Sequence, residues 1–220
     1  MKKIIAANWK SNKSKNEARN WFDAVLAQNF PDNLEIIIFP PLTLLDFASA
    51  YIKEKNLPIK LGAQNVSPFG IGAYTGEVNA GQIKEFADYV LIGHSERRSN
   101  FGESDEMINK KIERVQESGL SPIVCVSNIA QIKSLVRNEV IIAYEPIEAI
   151  GTGNPEDPKS TGLMAEQIKK IANNSRIIYG GSVNAQNLKN YISLDNIEGV
   201  LVGGESLTPF SFSEILKNAY

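Results

Sequence analysis

The sequence predicts an α/β fold, a single (β/α)8 barrel, and three observations carry that reading. Short β-branched runs alternate with longer amphipathic segments from one end of the chain to the other, a pattern that yields a parallel sheet with right-handed crossovers. Eight such βα units can be counted, which suits closure into a barrel better than an open doubly wound sheet. No shift of composition marks a boundary. The turn-rich stretches SPFGIGAYTG (67 to 76) and GTGNPEDP (151 to 158) lie between elements of unchanged character, so residues 1 to 220 are expected to form one domain.

The elements follow in order. KKIIAAN (2 to 8) has the Ile-rich character of a strand covered on both faces, and a helical pattern follows near 14 to 28. LEIIIFP (34 to 40) repeats the strand signal before a helix near 43 to 55, and IKLGAQN (59 to 65) leads through a long loop to a short helix near 79 to 86. DYVLIGH (88 to 94) precedes a helix near 104 to 118, and SPIVCVS (121 to 127) precedes a brief one near 128 to 137. EVIIAYE (139 to 145) and its loop lead to a helix near 158 to 173. SRIIYGG (175 to 181), a helix near 184 to 192, IEGVLVGG (197 to 204) and a last helix near 212 to 218 complete the series.

Composition narrows the partners. With 43% hydrophobic and 22% charged residues and a formal net charge of −2, the chain is of the ordinary globular kind and lacks the positive charge that nucleic acid or an anionic membrane would attract. The apolar run before Asn8 in MKKIIAANWK is only four residues long, too short for a signal-peptide core, and no stretch approaches the ~20 apolar residues of a membrane span. The single Cys125 excludes an internal disulfide. Together these point to the cytoplasm.

Barrel chemistry is built at the C-terminal ends of the strands, and here those ends are polar. Asn8 and Lys10 close the first strand, Gln64 and Asn65 the third, His94, Ser95 and Glu96 the fourth, Glu145 the sixth, and Gly180-Gly181-Ser182 and Gly203-Gly204 the last two. Singly, each has a structural explanation: a satisfied core His, a snorkelling Lys, a loop-capping Glu, tight Gly turns. Trp9 and Trp21 read as packing residues and Cys125 as an inert core thiol. Jointly, a base, an acid, a cation and two anion-binding turns on one face point to chemistry. Glycines after the last two strands leave backbone N–H groups open to a phosphate. Glu145 as base, neutral His94 as acid and Lys10 as fixed positive charge suit removal of a proton from carbon beside a carbonyl. The helix expected to start at Ser95 disfavours a positive charge on His94. No Cys/His metal constellation, GxGxxG or Walker loop is present, so the chemistry is expected to need no cofactor or metal.

The motifs NWK (8 to 10), GHSERR (93 to 98), YEP with IGTG (144 to 153), YGGSV (179 to 183) and VGG (202 to 204) resemble the triosephosphate isomerase family along nearly the whole chain. The resemblance implies a TIM barrel that interconverts dihydroxyacetone phosphate and glyceraldehyde 3-phosphate through an enediolate, in glycolysis and gluconeogenesis. It implies Glu145 as the base between C1 and C2, His94 as the group serving the oxygens, Lys10 and Asn8 as enediolate ligands, and Glu96 as support for Lys10 and Ser95. Gly151 in a closing lid, with Ser182, Gly203 and Gly204, would bind the phosphate, and Tyr179 would hold the closed lid. It further implies a homodimer in which the third loop, Val66 to Asn79, inserts into a second subunit and brings Thr75 near its Lys10.

Three departures stand out. Glu148 replaces the family's usual lid Trp, and Asn128 replaces the Glu with which that Trp interacts, so a hydrogen bond between Asn128 and Glu148 is an expected substitute. Only 19 residues separate Cys125 from Glu145, which shortens the helix near 128 to 137 and leaves a tetramer open as an alternative to the dimer. Glu205 puts an acid beside the last Gly turn, where its side chain is expected to point away from a bound phosphate.

Overall fold

In a computed structural model, residues 2–26, 32–135, 139–172 and 175–219 are described. Eight parallel strands close into a barrel in chain order: β1 (Lys3–Asn8), β2 (Leu34–Phe39), β3 (Ile59–Ala63), β4 (Tyr89–Ile92), β5 (Ser121–Val126), β6 (Ile141–Tyr144), β7 (Arg176–Tyr179) and β8 (Gly199–Val202). β1 seals the ring by pairing with β2 on one side and β8 on the other, with Ile4 opposite both Glu35 and Gly199. The helices between strands are α1 (Lys15–Leu26), α2 (Leu45–Glu54), α3 (Ala80–Lys84), α4 (Ser95–Phe101), α5 (Asp105–Glu117), α6 (Ile129–Ser134), α7 (Pro158–Ile171), α8 (Leu188–Ile192) and α9 (Pro209–Asn218). The expected helix ends at 27 and 28, at 136 and 137 and at 173 lie outside the described residues.

Local chemistry explains where helices begin. Ser14 and Glu17 form a reciprocal cap ahead of α1, and Asn79 and Gln82 do the same at α3. Ser104, Asp157 and Thr208 cap α5, α7 and α9, with Pro at the first position of the last two. The helix expected from Ser95 is present, and two others, α8 and α9, differ from the sequence reading at their starts. α4 is a separate helix ended by Gly102 at φ 66°, a left-handed stop. α8 starts later than 184 because the Asn184 side chain accepts from the N–H groups of Gln186 and Asn187 and holds a turn there. α9 starts earlier than 212, at Pro209. α6 is as short as the spacing requires.

Alternation along the strands sorts the core into two shells. Ile4, Ala6, Ile37, Phe39, Leu91, Ile123, Cys125, Ala143, Ile178 and Leu201 fill the barrel, while their neighbours Ile5, Ala7, Ile36, Ile38, Ile142 and Tyr144 face the helices. The taper of the interior needs small residues: a Cβ on Gly62 would stand 2.1 Å from the Phe39 ring. The same alternation aims Asn8, two residues after Ala6, and Glu145, two after Ala143, into the barrel mouth. Trp9 faces the other way and is fully buried against Trp21, ring centroids 4.9 Å apart, so the segment between Asn8 and Lys10 is anchored by aromatic packing.

Candidate active site

Just past β1 the chain adopts an uncommon conformation. Lys10 has φ 54°, a left-handed geometry that costs a non-Gly residue about 1–2 kcal/mol. Its N–H donates to Asn8 Oδ1 (3.0 Å) and its carbonyl accepts from Gln64 Nε2 (2.8 Å), which also binds Phe39 O. These bonds hold the strained residue so that its ammonium reaches across the mouth to Glu96 Oε1 at 2.5 Å.

His94 closes β4 and caps α4. Its Nδ1 accepts the Glu96 backbone N–H (3.2 Å), so the lone pair is on Nδ1 and the ring proton on Nε2. The Glu96 carboxylate lies 3.7 Å from the same Nδ1, but with that lone pair already engaged the contact is not an ion pair. Nε2 faces Glu145 Oε1 at 3.3 Å, and the Ser95 N–H donates to Glu145 Oε2 at 3.3 Å. The Cys125 thiol completes the surroundings of this carboxylate. Glu145 is 2% exposed. Burial pushes its carboxyl above the usual range, and His94, the Ser95 N–H, the Cys125 thiol and Lys10 oppose the shift without cancelling it. Burial, with Glu145 beside it, likewise pushes the Cys125 thiol well up, so it stays protonated and donates. A desolvated carboxylate with long contacts, next to an N–H donor and a lysine, is equipped to exchange a proton with carbon while charge develops on neighbouring oxygens.

Asn8, Lys10, His94, Glu145, Gly151, Ser182, Gly203 and Gly204 line one cavity of about 260 Å³. Glu96 borders the adjoining recess beside Lys10 and His94. Tyr179 lies fully buried beneath, its Oη accepting the Glu156 N–H at 2.9 Å. The segment 146 to 156, expected to act as the lid, lies docked on the β7 turn: Gly153 N–H donates to Ser182 Oγ (3.2 Å), which in turn donates to Ala149 O. Of the glycines in the β7 and β8 turns, Gly204 alone has open space where a side chain would stand, and the others face close neighbours. A Cβ on Gly203 would come 3.4 Å from Lys10 Cε, and one on Gly180 would come 2.8 Å from Glu145 Cγ. Among the described residues, no group of three His, Cys, Asp or Glu is placed to hold a metal ion, and no helix is long and apolar enough to cross a membrane.

Two details depart from the sequence reading, at Glu96 and at Asn128. Glu96 reaches Lys10 but not Ser95, whose buried hydroxyl has no hydrogen-bond partner. Asn128 and Glu148 border the same recess under the lid, yet no hydrogen bond joins them, because Asn128 Oδ1 caps α6 by accepting from Gln131 N (3.0 Å). Glu205 is exposed at the rim of the cavity. Sequence reasoning missed Gln64 as the clamp on Lys10, the thiol beside the base, and a buried group in which Glu103 binds Lys111 and Arg97. Burial would raise the Glu103 carboxyl, but Lys111 and Arg97 hold it below the usual range. Lys111 also reaches Asn65 at 2.7 Å, at the start of the long third loop. A larger recess, about 720 Å³, opens instead at the N-terminal face with its Arg176 and Lys60 paired, so size does not locate the chemistry.

The sequence profile described as triosephosphate isomerase matches residues 3–219. The chain belongs to the triosephosphate isomerase family. Its relatives include proteins named triosephosphate isomerase from Trichodesmium erythraeum, 39% identical with 98% of each chain covered, and from Aquifex aeolicus, 39% identical with 98% of this chain and 99% of the relative covered. The protein of that name from Mesomycoplasma hyopneumoniae is 38% identical with both chains covered in full. Family membership accounts for the closed eight-stranded barrel and for its polar C-terminal mouth.

Proposed function

We propose that this chain is a cofactor-free isomerase that interconverts dihydroxyacetone phosphate and D-glyceraldehyde 3-phosphate, serving glycolysis and gluconeogenesis. The observation that carries this reading is the buried Glu145 carboxylate, its basicity raised by desolvation, 3.3 Å from His94 Nε2. Glu145 takes a proton from C1 of the ketone while the carbonyl oxygen gains one from His94, giving an enediol. Return of the carboxyl proton to C2 and of a hydroxyl proton to His94 yields the aldehyde, so protons balance over the cycle. Lys10 and Asn8 hold the two oxygens as negative charge passes between them, and Glu96 fixes the lysine. Backbone N–H groups of Gly151, Ser182, Gly203 and Gly204 receive the phosphate, Tyr179 holds the lid, and the lid excludes water.

The active unit is a homodimer of single-domain barrels, spanning residues 1 to 220 in each subunit, in the cytoplasm. The third loop supports this: Ile71 is 95% exposed at its tip, and Phe69 and Tyr74 stack beside it at 4.3 Å, an apolar knob suited to a second subunit, with Thr75 brought beside that subunit's Lys10. A coupled assay with glyceraldehyde 3-phosphate tests the activity, and ultracentrifugation at assay concentration tests the dimer. A folded but inactive chain would overturn the activity and leave a non-catalytic barrel. Full activity from a monomer would overturn the dimer.

A further inference from the structure

Glu156 is the last lid residue before Asp157 caps α7, and it is gripped on every side. Its Oε1 accepts from Tyr144 Oη (2.9 Å) and its Oε2 from Thr161 Oγ1 (2.8 Å). Its N–H donates to Tyr179 Oη (2.9 Å), and its carbonyl accepts from Tyr191 Oη (2.6 Å). Tyr179 and Tyr191 are stacked at 4.1 Å, which makes the platform under the hinge rigid. Among the described residues no cation pairs with Glu156, so the carboxylate is held by directional hydroxyl bonds rather than by charge balance. By contrast, the lid centre touches the β7 turn mainly through Ser182.

Tyr144 is the significant partner. It is buried on the outer face of β6, and the next residue, facing inward, is Glu145. The lid therefore leaves β6 through the Glu145–Pro146 bond and is tied back to the same strand end at its far hinge. Burial, then the bond to Glu156, raises the Tyr144 phenol far above neutrality, so the hydroxyl stays a donor. We propose that the Glu156 carboxylate is a positioning residue that couples the seating of the lid's C-terminal hinge, through Tyr144, to the placement of the Glu145 base. This rests on the isomerase reading above. A base displaced by about 1 Å can lose up to ~10²-fold in rate, so a hinge tied to the base has leverage on turnover.

The test uses the full chain, with kcat and KM for glyceraldehyde 3-phosphate and thermal melting measured for Glu156→Ala, Glu156→Gln, Tyr144→Phe and the double variant Glu156→Ala/Tyr144→Phe. Glu156→Ala is expected to lower kcat about tenfold. Glu156→Gln is expected to recover most of the loss, since its amide oxygen accepts from Tyr144 and its NH₂ can donate to the Thr161 hydroxyl. The double variant is expected to be no slower than Glu156→Ala, because Tyr144→Phe removes a bond that Glu156→Ala has already removed. Wild-type kcat in folded Glu156→Ala, or losses that multiply in the double variant, would overturn the inference. Should Glu156→Ala fail to fold, Tyr144→Phe decides, and wild-type kcat in that variant overturns it too. A folded wild type without activity overturns the inference together with the function, whereas an active wild type with an indifferent Glu156→Ala overturns the inference alone.

Discussion

At the N-terminal end of the strands, Arg176 forks between Glu35 (3.1 Å) and Glu198 (3.0 Å), Lys169 meets Glu198 at 3.0 Å, and Tyr89 Oη donates to Glu35 at 2.5 Å. At the C-terminal end, Glu145 is buried more deeply than any of these carboxylates, yet its contacts to the Ser95 N–H and His94 are both 3.3 Å long. The same barrel thus carries a satisfied charge network below and an under-satisfied carboxylate above. A paired network is costly to break, because removing one partner strands the others, and it leaves its groups nothing further to do. A desolvated carboxylate with weak partners costs stability and keeps its basicity for a substrate.

Breaking the upper end should give the largest effect. Glu145→Gln is expected to lower kcat by at least the ~10²- to 10⁴-fold of a positioned base, read by steady-state kinetics, with much less effect on phosphate-ligand affinity. Because the folded pKa of Glu145 is raised, its contribution to stability is present below the ordinary carboxylate range and lost as pH rises through the raised value. The variant should therefore melt no lower than wild type at neutral pH, despite its lost activity. A lower melting temperature at neutral pH would show that the base is not held at a cost.

The same shift sharpens the comparison by pH. The acid limb of kcat/KM should fall as Glu145 gains its proton, at a pH above the ordinary Glu range near ~4.3. A pH–rate profile checks this, and a limb at the ordinary value would remove the desolvation argument.

Breaking the lower end should cost stability without touching chemistry. Arg176→Met is expected to lose about 1–2 kcal/mol, since all three side chains of its fork are about a fifth exposed. That corresponds to roughly 2–8 °C in Tm for a chain of this size, with kcat unchanged, measured by melting and assay on one preparation. The smallest effect is expected at the rim. Like charges within ~4 Å repel by up to roughly 4 kcal/mol at an effective dielectric near 20, so an exposed Glu205 would turn to solvent when phosphate binds, and Glu205→Ala should change KM by no more than a few-fold. A tenfold drop in KM would mean that the acid faces the substrate.

Strand runs and the polar strand ends were legible because they are local: a period of two aims Asn8 and Glu145 inward wherever the strand lies. α8 was misjudged at its start because Asn184 bonds its neighbours' backbone in competition with the helix. Barrel closure, in turn, decided which distant residues meet. Gln64 clamps Lys10 from 54 positions away, Cys125 stands under Glu145 because β5 and β6 pair in that register, and Asn128 turns to cap α6 rather than to reach Glu148. By itself the sequence determined the eight units, the chemical kinds of group at their ends and the faces those groups point to, since these follow from backbone periodicity and side-chain identity. Only the tertiary structure decided which nitrogen of His94 carries the proton, how far burial raises Glu145 and where Glu156 ties the lid, because each depends on distances between segments that no local pattern encodes.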